Sequence, residues 1–154
     1  SAAATALTGI NTLQLSASDT PIPDVVALAA TVNNDGIVHI PDTSGTLGFF
    51  ALATFNVGAS GTLSVTANTG GASLPVTLSL CETDPSTGAC TNPGSPTTGT
   101  VTTTIGAGAT PTYAIFVAAS EAVSLDPAGK RAFVEFRDGG GVVRGSTSVA
   151  VQTD

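Results

Sequence analysis

Apolar and small polar side chains alternate with a period of two through almost the whole chain, the pattern of half-buried strands. Leu13, Leu15 and Ala17 alternate with Thr12, Gln14 and Ser16. Val25–Val32 is a run of Val, Leu, Ala and Thr that stops at Asn33-Asn34-Asp35-Gly36, beyond which Ile37, Val38 and Ile40 resume. Turn residues between two apolar runs predict a hairpin there. Within Gly45–Val57, Phe49, Ala51, Ala53, Phe55 and Val57 line one face while Phe50, Leu52 and Thr54 line the other. Apolar residues on both faces predict a strand buried on two sides, set centrally or covered by a partner.

Alternation continues through Leu63, Val65 and Ala67 after Gly58-Ala59-Ser60-Gly61, and through Val76, Leu78 and Leu80 after Gly70-Gly71. Val101, Thr103 and Ile105 give a weaker, Thr-rich strand, and Tyr113, Ile115 and Val117 a stronger one with Tyr113 facing inward. Arg131–Arg137 and Val142–Gln152 flank Asp138-Gly139-Gly140-Gly141, the clearest hairpin signal in the sequence. No stretch carries a helical stripe. The expectation is an all-β, antiparallel sandwich of about nine strands. It occupies residues 12–154, behind an N-terminal extension at 1–11. Thr91–Gly108, rich in Thr, Gly and Pro, is expected as an exposed loop entering one edge strand, with O-glycosylation as the alternative its composition allows.

Composition narrows the function. Thr, Ser, Ala and Gly make up just over half of the 154 residues, and only 10% are charged. A net charge of −7 with four bases excludes a nucleic-acid binder, which must neutralise phosphates. No apolar run, Val25–Ala30 and Tyr113–Ala119 included, approaches the ~20 residues that span a membrane, so no transmembrane segment is expected. No basic region followed by an apolar stretch opens the chain, so no signal peptide is expected within it.

Cys81 and Cys90 are the only cysteines and flank the turn sequence Asp84-Pro85-Ser86-Thr87-Gly88. A zinc pair needs further ligands that the single histidine cannot complete, and redox pairs favour a two-residue spacing. A structural disulfide is therefore expected, with an extracellular or cell-surface location.

Catalytic chemistry has little to be built from, and no catalytic residue is assigned. His39 lies in an alternating strand, with no Gly-x-Ser-x-Gly elbow to supply a nucleophile. The aspartates fall mostly in turns, where Asp bonds the local backbone. Trp is absent and Tyr113 is the sole tyrosine, so glycan binding would rest on hydrogen bonds rather than aromatic platforms. The weak metal candidate is a calcium site of Asn33, Asp35 and Asp42, whose oxygens have the right hardness but not the spacing of a helix-flanked calcium loop. No other cofactor is implied.

Lys130, Arg131, Arg137 and Arg144 crowd into one short region and form a candidate charged contact patch for an acidic face of a neighbouring copy.

Phe55-Asn56-Val57, Leu78-Ser79-Leu80-Cys81 with the loop to Cys90, Tyr113–Val117 and the closing Arg131–Val151 hairpin together resemble the immunoglobulin-like sandwich domains of bacterial secreted and cell-surface proteins. The resemblance covers roughly Gly45 to Thr153 and lacks the inter-sheet cysteine pair and core Trp of antibody domains. It implies an architectural or adhesive domain without shared catalytic residues. Ser1–Gly9, Ala-rich and leading into Ile10, is expected to add a strand to an adjacent copy through Ala4, Ala6, Leu7 and Ile10. The expected function is an extracellular structural or adhesive subunit that polymerises with itself. The alternative is an accessory module binding glycan or calcium.

Overall fold

The computed structural model describes residues 6–9, 12 and 18–154, and its regular structure is all β. Ten strands follow one another: β1 Val25–Thr31, β2 Ile37–Ile40, β3 Gly48–Asn56, β4 Gly61–Asn68, β5 Val76–Thr83, β6 Cys90–Thr97, β7 Val101–Ile105, β8 Thr112–Ala119, β9 Arg131–Arg137 and β10 Val143–Thr153. They build two five-stranded sheets, β1-β3-β8-β5-β6 and β2-β10-β9-β4-β7. Paired strands are antiparallel except β2 and β10, which run parallel.

The alternation read from the sequence sets which side chains meet between the sheets. Phe50 and Leu52 of β3, Leu80 of β5, and Tyr113 and Ile115 of β8 face Val65 of β4, Val134 and Phe136 of β9, and Val149 and Val151 of β10. Tyr113 and Phe136 meet across the gap edge-to-face, with ring centroids 5.5 Å apart, the arrangement that the ring quadrupoles favour. Burial pushes the Tyr113 phenol above its ordinary range, and the Glu82 carboxylate adds to the shift.

The strand order defines an immunoglobulin-like sandwich. β1, β3, β8 and β5 occupy the A, B, E and D positions, and β4, β9 and β10 the C, F and G positions. β6 and β7 are inserted between the D-like and E-like strands. β6 extends the first sheet, and β7 crosses over to pair with β4 at the edge of the second.

Three expectations change. Val25–Ile40 is a crossover between sheets rather than a hairpin: β1 pairs with β3 over seven positions, while β2 pairs with β10. Asn33–Gly36 is a turn, with Asn34 and Gly36 at positive φ, but it does not reverse the chain: β1 runs alongside β10 from Gly145, and β2 continues along β10 in the same direction. Thr91–Gly108 contains two edge strands instead of one, because prolines are tolerated where a strand edge has no ladder to complete. β3 is buried on its inner face only; Phe49 and Phe55 on the other face are about half exposed. The alternation at Thr12–Ala17 falls almost wholly outside the described residues.

Asn56 closes one end of the sandwich. Its side chain is buried, yet every polar atom is used: Oδ1 accepts from the backbone N–H of Asp24 and Gly58, and Nδ2 donates to the carbonyls of Ala59 and Gly106. It therefore ties the end of β3 to the chain entering β1 and to the exit of β7. Along the adjoining edge, Gly145 lets β10 approach β1, since a Cβ there would stand 2.3 Å from the Val25 carbonyl oxygen.

Candidate interaction surface

The outer face of the first sheet is apolar. β1 presents Val26, Leu28 and Ala30; β3 presents Phe49, Ala51, Ala53 and Phe55; β8 presents Ala114, Phe116 and Ala118. None of these three strands contains a charged residue. Val26, Leu28, Phe49 and Phe55 are 48%, 67%, 50% and 45% exposed. A phenylalanine offers roughly 150–250 Å² of surface, so this face presents on the order of 400 Å² of apolar area, as large as the biggest patch of a typical monomer.

Register gives the face its relief. Val26 stands beside Phe55, and Phe49 beside Phe116. Between these bulky rows, Leu28 pairs with Ala53 and Ala53 with Thr112, and Ala30, Ala51 and Ala114 form the next row. The small rows leave a hollow of about 440 Å³. Leu28 and Phe49 wall one side of it, and Asp84, Pro85 and Gly88 the other.

That second wall is the loop closed by the Cys81–Cys90 disulfide, which forms as expected. Cys81 lies on the outer face beside Ala114 and is buried beneath its own loop. Asp84 shapes the loop by accepting hydrogen bonds from the backbone N–H of Ser86 and Thr87, which hold its carboxyl below the usual carboxylate range.

A second feature lies at the seam between β1 and β10. Arg131 is buried; its Nε donates to Ser148 Oγ, and its other guanidinium nitrogens donate to the carbonyls of Pro127 and Ser148. Ser148 Oγ in turn donates to the carbonyl of Thr8. Gly9 follows with φ +78, so close to the strand that a Cβ would lie 2.9 Å from the Ser148 nitrogen. The extension thus touches its own domain at Thr8–Gly9. Ala6 and Leu7 of the expected intersubunit strand are described, whereas Ala4 and Ile10 lie outside the described residues.

The four bases do not form one patch. Lys130 and Arg131 sit at one end of β9, and Arg137 and Arg144 at the other, about 20 Å away along a seven-residue strand. Lys130 bonds Ser124, Arg131 is buried, Arg137 pairs with Glu135 at 3.0 Å, and Arg144 with Asp138 at 2.6 Å.

The turn proposed for calcium is organised by local donors. Asp35 accepts from Thr31 Oγ1 and the Ile37 N–H, and its other oxygen contacts His39. Asp42 accepts from the Ser44 N–H and hydroxyl and from the Thr46 hydroxyl, which hold its pKa at about 2. Among the described residues, no group of three or more His, Cys, Asp or Glu side chains is placed to hold a metal ion.

His39, on edge strand β2, lies between two carboxylates, with Nε2 at 2.9 Å from Asp35 and Nδ1 at 2.8 Å from Asp154. A neutral imidazole carries only one N–H, so both contacts are satisfied together only by the imidazolium. Asp154 and then Asp35 raise the His39 pKa accordingly.

Ser148 and the hollow are not marked in the sequence, and Arg131, a candidate for the charged patch, is instead a buried donor. Ser148 looks like any strand serine, Arg131 like a surface base, and Ala51, Ala53 and Ala114 become neighbours only once β3 and β8 are paired.

The topology and this surface together define an immunoglobulin-like β-sandwich with an exposed apolar sheet face. No protein-family model and no curated protein matches the chain. Among solved structures, the CARDB domain of the PF1109 protein from Pyrococcus furiosus, in complex with di-metal ions, aligns over 96% of this chain and 100% of its own. The identity is 10% and the TM-score 0.45.

Proposed function

We propose that this domain is a non-enzymatic structural or adhesive subunit, working outside the cytoplasm or at the cell surface by assembling with copies of itself. The observation that carries this reading is the outer face of β1, β3 and β8, an uncharged apolar surface on which other protein has room to dock. The Cys81–Cys90 disulfide supports an oxidising location.

The contact of Ser148 with Thr8 supports a head-to-tail direction for this assembly. In the polymer we place Ser1–Gly9 of one copy on the β1–β10 seam of the next, where Ser148 would receive the neighbour's Thr8 carbonyl in place of its own. Exchange of an identical segment keeps the same contacts, and a head-to-tail exchange that does not close yields a filament or lattice.

Deleting Ser1–Gly9 tests this. The full chain should form elongated particles in electron micrographs, and the shortened chain should keep the circular dichroism spectrum of a folded β domain while forming none. Polymers of unchanged length after deletion would overturn the strand exchange.

A further inference from the structure

The hollow on the outer face and the side chains projecting beside it belong to the same surface, and this makes the surface complementary to itself. We propose that the outer face of β1, β3 and β8 is a two-fold docking site for a second copy of this chain. Leu28 and Phe49 of each copy seat in the hollow over Ala51, Ala53 and Ala114 of the other. The proposal rests on the reading that the domain assembles with itself and names the surface that does so.

Four observations select this occupant. First, a two-fold contact requires knob and hollow within one patch, related by the axis. Here Leu28, 67% exposed, and Phe49, 50% exposed, border a hollow of about 440 Å³ floored by alanines.

Second, the net charge of −7 opposes association of identical copies, but β1, β3 and β8 carry none of it. Asp84 at the rim is the one acid lining the hollow. Charges beyond about 8 Å are largely screened at physiological salt.

Third, the face is large enough. With β5 included, four strands about 4.8 Å apart and about eight residues long cover roughly 500 Å² flat per copy, or about 1,000 Å² for the pair, at the lower limit of specific interfaces. An interface of that size fits a weak, reversible dimer, one link in an assembly rather than an obligate pair.

Fourth, the loop wall is fixed. The Cys81–Cys90 bond and the Asp84 hydrogen bonds hold Pro85 and Gly88 beside the hollow. A partner sheet that seats between this wall and Leu28 cannot slide by a strand. Two sheets facing each other through small side chains at about 10 Å is ordinary sandwich packing.

The test places charge where the two copies meet. Ala51 is exposed on β3, so Ala51→Glu and Ala51→Lys should each leave the melting temperature and circular dichroism spectrum of the isolated domain unchanged. Light scattering on the full chain should show concentration-dependent dimers, and each variant alone should dimerise at least ~100-fold more weakly. Mixing the two variants in equal amounts should restore dimers, because only a two-fold contact sets the carboxylate of the Ala51→Glu copy against the ammonium of the Ala51→Lys copy.

Dimers of unchanged affinity in both single variants would overturn the proposal. So would variants that each stay monomeric and remain so when mixed, a result pointing instead to a different occupant, such as the Ala-rich Ser1–Gly9 of a neighbour. Full-length chain that is monomeric up to millimolar concentration would overturn both this inference and the self-assembly reading. Polymers lost on deleting Ser1–Gly9 but indifferent to charge at Ala51 would overturn this inference alone.

Discussion

At the scale of single residues, the side chains that matter most here are polar groups in places where polarity has to be answered. Asn56 is the strongest case, because its amide is buried and bonded on both ends. A buried hydrogen bond contributes about 1 kcal/mol net, and orphaned partners add their own desolvation cost, so Asn56→Ala should lower unfolding free energy by about 2–4 kcal/mol. Urea denaturation reads this directly, and a loss under about 0.5 kcal/mol would contradict the role. Nothing in Phe55-Asn56-Val57 marks the residue beforehand, since Asn at a strand end reads as ordinary turn chemistry.

His39 makes a prediction of opposite character, about pH rather than packing. Asp154 and Asp35 raise its pKa above 6.5. Its stabilising contribution is therefore complete below pH 6.5 and is lost as pH rises through the higher folded-state value. On the acid side, His39 first and Gln152 next depress the Asp154 pKa below 3.8, so that part is lost only as pH falls through the depressed value. The melting-temperature difference between the natural chain and His39→Gln should thus be largest at about pH 5 and shrink towards about pH 9. An NMR titration placing His39 at or below its ordinary value would refute the two-carboxylate geometry.

At the scale of elements, most strands were legible because burial on one side imposes a period of two. β3 and β8 follow the alternation residue by residue, and so does β9 from Ala132. β10, by contrast, has a register shift between Val143 and Gly145 and is buried continuously from Thr147 to Val151. What the sequence did not disclose was pairing. The partner of an edge strand depends on which exposed ladder the chain reaches, so β1 and β2 looked like a hairpin although they enter different sheets. β6 escaped notice because Pro93, Gly94 and Pro96 suit only an edge, and the alternation that betrays other strands is absent.

The disulfide belongs to this scale as well, because it fixes the loop that walls the hollow to β5. The entropy of a ten-residue ring gives about 2.7 kcal/mol, so replacing both Cys81 and Cys90 by Ser should cost about 2–3 kcal/mol in chemical denaturation. Hydrogen exchange should quicken at Ser86 and Thr87 before it quickens in β8. Unchanged protection of that loop would show that the Asp84 turn holds it unaided.

At the scale of the whole molecule, the balance of charge and apolar surface connects fold to function. The acids and bases of a freely diffusing domain usually interrupt its exposed strands and guard them against pairing. Here charge gathers in turns, on β9, at Glu82 near the end of β5 and at the start of β10, while the outer face of β1, β3 and β8 is left apolar. The sequence carried this as apolar residues on both faces of Phe49–Val57, which pointed to a covered strand. Within one chain the inner face is covered by the second sheet and the outer face by nothing among the described residues, so on this account the missing cover comes from a second copy.

Sedimentation equilibrium of the full chain over micromolar to millimolar concentration tests that claim most directly. The account predicts a weight-average mass that climbs with concentration from 14.9 kDa to twice that value and beyond. A mass that stays at 14.9 kDa across the whole range would contradict it.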